Sequence, residues 1–368
     1  IKGAVDEFGK DAVAVLTTVP AGESYETALL RPGILSLFSA LPQIRSIIKT
    51  CGIIHALDVF PYGLVAVFAS LGLGKKIIIT ATGSNSIIPL YSIFRRPLVA
   101  WAYHRADRIT AISTFTRDEV LKKLPKLDIE VLNHGVDADF FARSVRSKSP
   151  EATCDASQTH RASNGASADG SHYDVSRFRP YILGVGQLRW RKGYHLSIKA
   201  FAKVKKQFPD LNYVIVGNKF ADDYYERLKR VITEEGLHDS VFILEDVNTR
   251  EELADVYRGA ELFCLFSQNV GHDVEGFGLV FLEAAAVGLP IVGSKNCGID
   301  DAVRDGENGI LVPTRSPDDF ADAILAILGN PEKKKAMTSS SLRFARIMTW
   351  DRKIARYIAL WRELTLQE

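Results

Sequence analysis

Short apolar runs rich in Val, Ile and Leu alternate with longer amphipathic stretches along most of the chain. This alternation is typical of parallel β-sheets with helical crossovers. In the first part of the chain it predicts a helix over 91–105 and strands at 12–18, 52–57, 76–82, 108–113 and 129–134. Further along it predicts strands at 181–186, 212–217, 241–244, 262–266, 289–293 and 309–312. The sequence therefore predicts an α/β fold with two Rossmann-like, doubly wound parallel sheets.

One stretch breaks the alternation. Residues 145–179 are rich in Ser, Ala, Thr, Asp and Asn and carry few aliphatic side chains, too few to offset the entropy of ordering them. We expect a linker or mobile insertion at 146–179, between one Rossmann-like domain at 1–145 and a second at 180–345. The segment 346–368 is expected to form a helix that crosses back to the first domain. A ligand is expected in the cleft between the two domains.

Composition and charge narrow the classes of function. At 368 residues, 46% of them apolar, the chain is long enough for two hydrophobic cores. A formal charge of +2 is too balanced for a protein dedicated to binding nucleic acid. Basic residues in the first domain, among them Lys75, Arg95 and Arg96, suit an anionic lipid or an acidic acceptor. Ordinary solvated helix faces are the favoured explanation for them.

The cysteines and the apolar stretches bear on location. The four cysteines, at positions 51, 154, 264 and 297, lie far apart and lack metal-ligand spacing, which favours a reducing compartment. The longest apolar stretch, 59–74, is shorter than the roughly 20 residues that cross a bilayer. We therefore expect a cytoplasmic protein, and a peripheral contact with a membrane stays open.

The sharpest motif is GHDVEGFGLVFLEAAAVGLPIVGS, at 271–294. A loop with two glycines runs into an apolar helix, an arrangement that exposes backbone amides to an anion at the helix N-terminus. Glutamates stand on both sides of that point, which suits a ligand with hydroxyls on both sides of its phosphates, as in a nucleotide sugar. We expect Glu275 to face the sugar and Glu283 the ribose. The other expected donor-binding residues are Gly276, Phe277, Gly278, Leu279 and Val280.

A second motif, GVGQLRWRKGYHLSIKAF at 184–201, places a basic loop between a strand and a helix. Lys192 is expected to supply a charge to the diphosphate from the opposite side of the cleft, and Arg189 and Arg191 can add to it. Such a basic loop is common by itself, and its meaning comes from its pairing with the first motif. Gly186 and Gln187, at its strand end, are also expected to bind the donor.

Weaker signals follow other predicted strands. Asp58 and the pair Thr82-Gly83 are candidates for the acceptor side, although turn chemistry explains Asp58 as well. Asn218 follows the strand at 212–217 and is a candidate donor contact.

The two motifs together resemble those of glycosyltransferase family 4, a retaining family with the GT-B fold. The E-x7-E motif of that family matches Glu275 and Glu283, and its G-R-L-x3-K-G motif matches 186–193. An A-x-S strand end at 111–113 and an N-G-V-D-like sequence at 134–137 extend the resemblance over about 5–365. The string DVEGFGLVFLEA is most similar to mannosyltransferases of the phosphatidylinositol-mannoside type. The loop 245–248, with Val247, resembles the one that brackets the nucleobase in this family.

The sequence departs from the family at four places. Gln187 replaces an Arg of the diphosphate motif, Thr82 replaces a His near the transferred sugar, and His134 replaces the Asn of N-G-V-D, where a turn role is favoured over catalysis. The family's first strand and its Gly-rich acceptor-side loop have no counterpart before residue 4. We therefore expect the natural protein to extend upstream of Ile1.

The resemblance implies transfer of a hexosyl group from a GDP- or UDP-linked donor to a glycan or lipid-linked acceptor, with retention. Glu275, Lys192 and Arg191 would be the catalytic residues. No metal and no cofactor is expected, and the partners are the donor and a sugar, polysaccharide or lipid-linked acceptor. Two alternatives stay open: a non-catalytic nucleotide-sugar-binding subunit and a GT-B nucleotide-sugar epimerase.

Overall fold

The structure, a computed structural model, describes residues 1–30, 34–143, 173–313 and 316–366. Most of the predicted linker, and Cys154 within it, therefore lie outside the described residues. The strands are β1 (Val15–Thr17), β2 (Glu26–Ala28), β3 (Ile53–Leu57), β4 (Lys76–Ala81), β5 (Arg108–Ala111), β6 (Glu130–Val131), β7 (Tyr181–Val185), β8 (Asn212–Val216), β9 (Val241–Leu244), β10 (Leu262–Leu265), β11 (Ile291–Ser294) and β12 (Gly309–Val312).

Helices connect most of these strands. They are α1 (Lys2–Phe8), α2 (Ile34–Ser39), α3 (Leu41–Thr50), α4 (Leu64–Ser70), α5 (Ser84–Ile87), α6 (Arg96–Arg105), α7 (Thr114–Leu121), α8 (Ala138–Ala142), α9 (Tyr194–Gln207), α10 (Asp222–Glu234), α11 (Arg250–Gly259), α12 (Leu279–Ala286), α13 (Pro317–Leu328), α14 (Pro331–Ile347) and α15 (Trp350–Thr365). Among the described residues, none of these helices combines the length and the apolar character needed to span a bilayer. Each of the eleven predicted strands overlaps an observed one, which confirms the α/β prediction.

The second half of the chain forms a six-stranded sheet in the order β12-β11-β10-β7-β8-β9. All neighbouring strands in it are parallel. Read from β9, the strands follow the doubly wound order 3-2-1-4-5-6, which reverses direction between β7 and β10. Every residue of these two central strands is buried, as expected for a parallel sheet covered on both faces. A crevice opens at their carboxyl ends, where ligands bind in such folds.

The first half forms a four-stranded parallel sheet in the order β3-β4-β5-β6. The strand predicted at 12–18 is shorter, since β1 covers Val15–Thr17, and it pairs with β2 in a separate two-stranded sheet. The sequence pattern did not reveal β2, because only one of its three residues is even partly buried. The domain limits stay a prediction, because the boundary at 145 falls in the undescribed stretch 144–172.

The helix predicted at 91–105 begins later than expected, at Arg96. Ser92 is extended, and Pro97 stands in the first turn of α6. A helix running from Tyr91 through Pro97 would press the proline ring against the carbonyl group of Ile93, because proline clashes with the residue four positions earlier. Residues 93–95 therefore form a turn before α6.

The last helix, α15, packs on the first sheet. Leu360 and Leu364 bury their side chains against Ile78 of β4. Arg356 forms a bidentate ion pair with Glu130 of β6, with N···O distances of 2.6 and 2.8 Å. Because the preceding helix α14 contacts α12, the C-terminal segment touches both halves of the molecule.

Candidate active site

The predicted basic loop and the predicted acidic loop meet at the carboxyl ends of β7 and β10. Gly193, at the end of the basic loop, has a φ of 64°, in the left-handed region. A Cβ atom on Gly193 would lie 1.9 Å from the carbonyl oxygen of Phe266. Only glycine permits this approach, and it brings Lys192 beside the loop that follows β10.

Lys192 and Arg191 both bind the carboxylate of Glu275. Lys192 Nζ lies 2.7 Å and Arg191 Nη1 lies 2.6 Å from Glu275 Oε2. Ser267, just after β10, donates a hydrogen bond of 3.2 Å to the same oxygen. Both Lys192 and Glu275 are buried. Burial alone would raise the pKa of Glu275, but the charges of Lys192 and Arg191 outweigh it and hold that pKa below its usual value.

Asp273 joins the same cluster, which we define as Arg189, Arg191, Lys192, Asp273 and Glu275. Asp273 lies 3.2 Å from Arg189 Nη2 and 3.4 Å from Arg191 Nε. Within the described part of the chain, the buried Arg191 Nε makes no hydrogen bond at all. Three cations face two carboxylates, so the charged cluster keeps a net charge of +1, which favours an additional anion.

The loop that carries Glu275 also contacts the first half of the molecule. Ser84, at the start of α5, donates a 2.7 Å hydrogen bond to Asp273 and accepts one of 2.9 Å from Val274 N. The side chain of Val274 packs within the hydrophobic core of the first sheet. Ser113 donates a 2.6 Å hydrogen bond to the carbonyl oxygen of Gly276. The acidic loop therefore bridges the two sheets at the cleft.

Close backbone contacts fix Gly276 and the helix that follows. A Cβ atom on Gly276 would lie 2.5 Å from the carbonyl oxygen of Thr82 and 3.2 Å from Gly83 Cα. Gly278 has a φ of 81° and forms the N-cap of α12. The first backbone N–H groups of a helix, here those of Leu279 and Val280, have no partner within the helix. Backbone amides in this position can bind an anion.

Glu283 lies in an environment opposite to that of Glu275. It is half-buried in α12 and accepts a 2.8 Å hydrogen bond from the hydroxyl of Tyr257. Burial raises the pKa of Glu283, and the Tyr257 hydrogen bond only partly offsets this. The two glutamates, which seven residues separate in the sequence, thus differ in charge environment, which supports different roles for them.

The acceptor-side candidates lie close to one another. Asp58 is buried, and its Oδ1 accepts hydrogen bonds from Thr82 N at 3.1 Å and from Ser86 Oγ at 2.6 Å. It therefore braces the Thr82-Gly83 turn, which faces Gly276. His134 packs edge-on against Phe277, with ring centroids 5.6 Å apart, and burial lowers its pKa.

The other predicted donor contacts lie at the edge of the site. The side chain of Gln187 is exposed. Asn218 is exposed as well, and its carbonyl oxygen accepts a 3.0 Å hydrogen bond from Leu188 N. Val247 packs against the core of the second sheet. None of these predicted roles is tested by the geometry.

Sequence reasoning missed Asp273, Ser84, Ser267 and Tyr257. Asp273 stands two positions before Glu275 in the motif, and Ser84 directly follows Gly83, so both were adjacent to residues already selected. Ser267 and Tyr257 carry no local signal, because their roles depend on which strands and helices lie side by side.

Comparison with known proteins gives a consistent result. The family model described as "Glycosyltransferase Family 4" matches residues 10–140, and "Glycosyl transferases group 1" matches residues 175–343. A GDP-mannose-dependent alpha-(1-6)-phosphatidylinositol monomannoside mannosyltransferase of Mycolicibacterium smegmatis is 27% identical over 80% of this chain and 74% of its own length. A D-inositol 3-phosphate glycosyltransferase of Paenarthrobacter aurescens is 31% identical over 70% of this chain and 58% of its own length.

Among solved structures, that of Anabaena HepE in complex with UDP-glucose superposes with a TM-score of 0.75 at 16% identity, covering 98% of this chain and 94% of HepE. The two family models identify a glycosyltransferase, and the fold is that of the GT-B class. Within that class the chain belongs to the family 4-like glycosyltransferases.

Proposed function

We propose that the protein transfers a hexosyl group from a GDP- or UDP-linked sugar to a glycan or lipid-linked acceptor, with retention of anomeric configuration. The observation that carries the proposal is the net positive charged cluster at the switch point between β7 and β10. A diphosphate is the anion that fits three cations and a helix N-terminus. The GDP-mannose dependence of the mycobacterial relative supports a nucleotide sugar as the donor.

In this proposal the diphosphate binds between Lys192, Arg191 and the amides at the start of α12. These groups stabilise the negative charge that develops on the leaving diphosphate. Glu275, which two cations keep ionised, accepts hydrogen bonds from hydroxyls of the transferred sugar. Glu283 receives the ribose hydroxyls one to two turns inside the helix.

Retention is assigned to a front-face substitution. The bond from the anomeric carbon to the diphosphate oxygen breaks, and the acceptor oxygen bonds to the same face of that carbon. The leaving diphosphate takes up the acceptor's proton. Three hydrogen-bond donors already occupy Glu275 Oε2, which makes this carboxylate a poor covalent nucleophile and supports the single displacement.

The acceptor is proposed to enter from the side of the first sheet, past the turn that Asp58 braces at Thr82-Gly83. A lipid-linked acceptor would require a peripheral contact with a membrane. No metal or other cofactor takes part in the proposed reaction.

The test is to incubate the purified chain with GDP-mannose and with UDP-glucose and to measure the nucleoside diphosphate released, with and without acceptors. We expect slow release in water, faster release with the true acceptor, and a product whose anomeric configuration by NMR matches that of the donor. Conversion of the donor to another nucleotide sugar would instead identify an epimerase. Donor binding without any release would identify a non-catalytic subunit.

A further inference from the structure

A second surface of the first domain stands out because its apolar side chains are not covered. Six consecutive residues, 93–98, are exposed, and each is either apolar or an arginine. Ile93 is 86% exposed and Phe94 is 89% exposed, while Leu98 is 46% exposed. We call this segment the apolar–basic turn.

The apolar–basic turn is held in place at both ends. Before it, Pro89 and Leu90 are buried in the first domain, and after it, Val99 is fully buried in α6. Ser92 accepts hydrogen bonds from Arg95 N at 3.3 Å and from Arg96 N at 2.9 Å. An ordered turn that presents Ile and Phe side chains to solvent marks an interaction site.

The charge of the segment around the turn favours an anionic partner. Between Ile87 and Ala106 the sequence contains three arginines and no Asp or Glu. Glu119, whose carboxylate contacts the hydroxyl of Tyr91 just before the turn, is itself paired with Lys122. Apolar tips flanked by arginines fit a bilayer surface in which the tips enter the acyl boundary and the guanidinium groups meet anionic headgroups. Three apolar side chains fall well short of the roughly 800 Å² per partner of a stable protein interface.

The apolar–basic turn is next to the candidate active site. Tyr91, two positions before the turn, stacks on His272 with ring centroids 3.4 Å apart. His272 precedes Asp273 of the charged cluster in the acidic loop. The guanidinium of Arg95 lies 5.1 Å from the ring centroid of Phe60, which follows β3 on the cleft side. A surface bound at the turn would therefore present headgroups beside the cleft.

We propose that the apolar–basic turn docks the protein on a bilayer that contains anionic lipids. Ile93 and Phe94 insert below the headgroups, and Arg95 and Arg96 bind the lipid phosphates. The purpose of the docking, which is to bring a lipid-linked acceptor to the cleft, rests on the proposed function. The docking itself does not.

The test is co-sedimentation of the full chain with vesicles of phosphatidylcholine alone and with vesicles of phosphatidylcholine mixed with phosphatidylglycerol. We expect binding to the mixed vesicles only, weakened by salt because exposed charges are screened. The Ile93→Ser, Phe94→Ser double variant should lose about tenfold or more in partitioning, and so should Arg95→Gln, Arg96→Gln. Val19→Ser, which removes another exposed apolar side chain (79% exposed), is the control and should bind as the original chain does.

Equal binding of Ile93→Ser, Phe94→Ser and the original chain would overturn the proposal, as would an equal loss in Val19→Ser. Self-association of the original chain that is lost only in the Ile93→Ser, Phe94→Ser variant would overturn it as well, because a second copy would then cover the turn. Donor hydrolysis in water without vesicles should be the same in all variants. Vesicle binding by a chain that transfers no sugar would refute the proposed function and leave the docking proposal intact. Sugar transfer without vesicle binding would refute the docking proposal and leave the proposed function intact.

Discussion

The ammonium group of Lys192 lies 2.7 Å from the carboxylate of Glu275, although the two residues are 83 positions apart. Both are buried, so the carboxylate of Glu275 depends on Lys192 and Arg191 for compensation, and the ammonium group of Lys192 depends on Glu275. Removing one partner of such a pair leaves an uncompensated charge in the interior. This contact therefore couples the basic loop after β7 to the acidic loop after β10.

Replacement of Lys192 by alanine tests the proposed diphosphate contact. Because one charge-assisted contact to the leaving group is lost, Lys192→Ala should cost about 2–4 kcal/mol of transition-state stabilisation in kcat/KM. Arg191 stays as a partner of Glu275, so the fold should persist, which thermal unfolding can verify. Lys206→Ala, on the exposed side of the same α9 helix, is the matched control and should be neutral. A Lys192→Ala enzyme that keeps more than about a third of the original kcat/KM contradicts the assignment.

Replacement of Glu275 and replacement of Glu283 should change different kinetic quantities. Glu275→Gln should lower kcat by about a hundredfold with little change in donor affinity, because its contact to the sugar strengthens at the transition state. Glu283→Gln should chiefly weaken donor binding, by about 1–3 kcal/mol, because a ribose contact is present throughout the reaction. Calorimetry of donor binding beside steady-state kinetics separates these effects. The reverse pattern would exchange the two roles, and no effect from either variant would refute the assignment of this loop to the donor.

Gly193 and Gly236 allow a matched test of how a close backbone contact at the site affects stability. Both have left-handed φ values, 64° and 67°, but a Cβ atom on Gly236 would meet no atom within 4 Å. Gly236→Ala should therefore cost only about 1 kcal/mol of stability for the backbone conformation. Gly193→Ala should cost about 2 kcal/mol more, because its Cβ atom would overlap the carbonyl group of Phe266. Thermal or denaturant unfolding measures both, and equal losses would show that the contact with Phe266 relaxes freely.

Acid should weaken the packing of α15 on the first sheet through His55. The ring of His55 lies 2.7 Å from Thr80 Oγ1 and accepts a 3.3 Å hydrogen bond from Trp361 Nε1. Burial lowers the pKa of His55 from 6.5 to about 4. Below about pH 6.5 the unfolded chain binds a proton at His55, whereas the folded chain binds it only below about pH 4. The free energy of unfolding therefore decreases as the pH is lowered from about 6.5 to about 4.

Between about pH 7.5 and pH 5 this group alone should cost about 2 kcal/mol of the free energy of unfolding. The matched variant is His55→Gln, whose amide can bond to Thr80 and Trp361 but does not titrate. Urea unfolding followed by tryptophan fluorescence at both pH values should show a smaller acid loss in the variant. An identical loss in both proteins would mean that His55 is not the acid-sensitive group.

The sequence by itself determined the α/β class, the positions of the strands and the identity of the two loops that matter most. Strand positions such as Val241–Leu244 and Gly309–Val312 can be predicted because buried parallel strands are continuous apolar runs. The glycines at 276 and 278 identified the start of α12 because a helix N-terminus that receives an anion needs an open backbone. These are local properties, and adjacent residues encode them.

Only the tertiary structure decided which side chains meet. That Arg191 and Lys192 bind Glu275, and that Ser84 reaches Asp273 across 189 positions, follows from the strand order and from how the two sheets face each other. The same holds for β1, which pairs with β2 and not with the four-stranded sheet. A run of apolar residues specifies that a strand is buried but not which strand lies beside it, because pairing depends on contacts between distant parts of the chain.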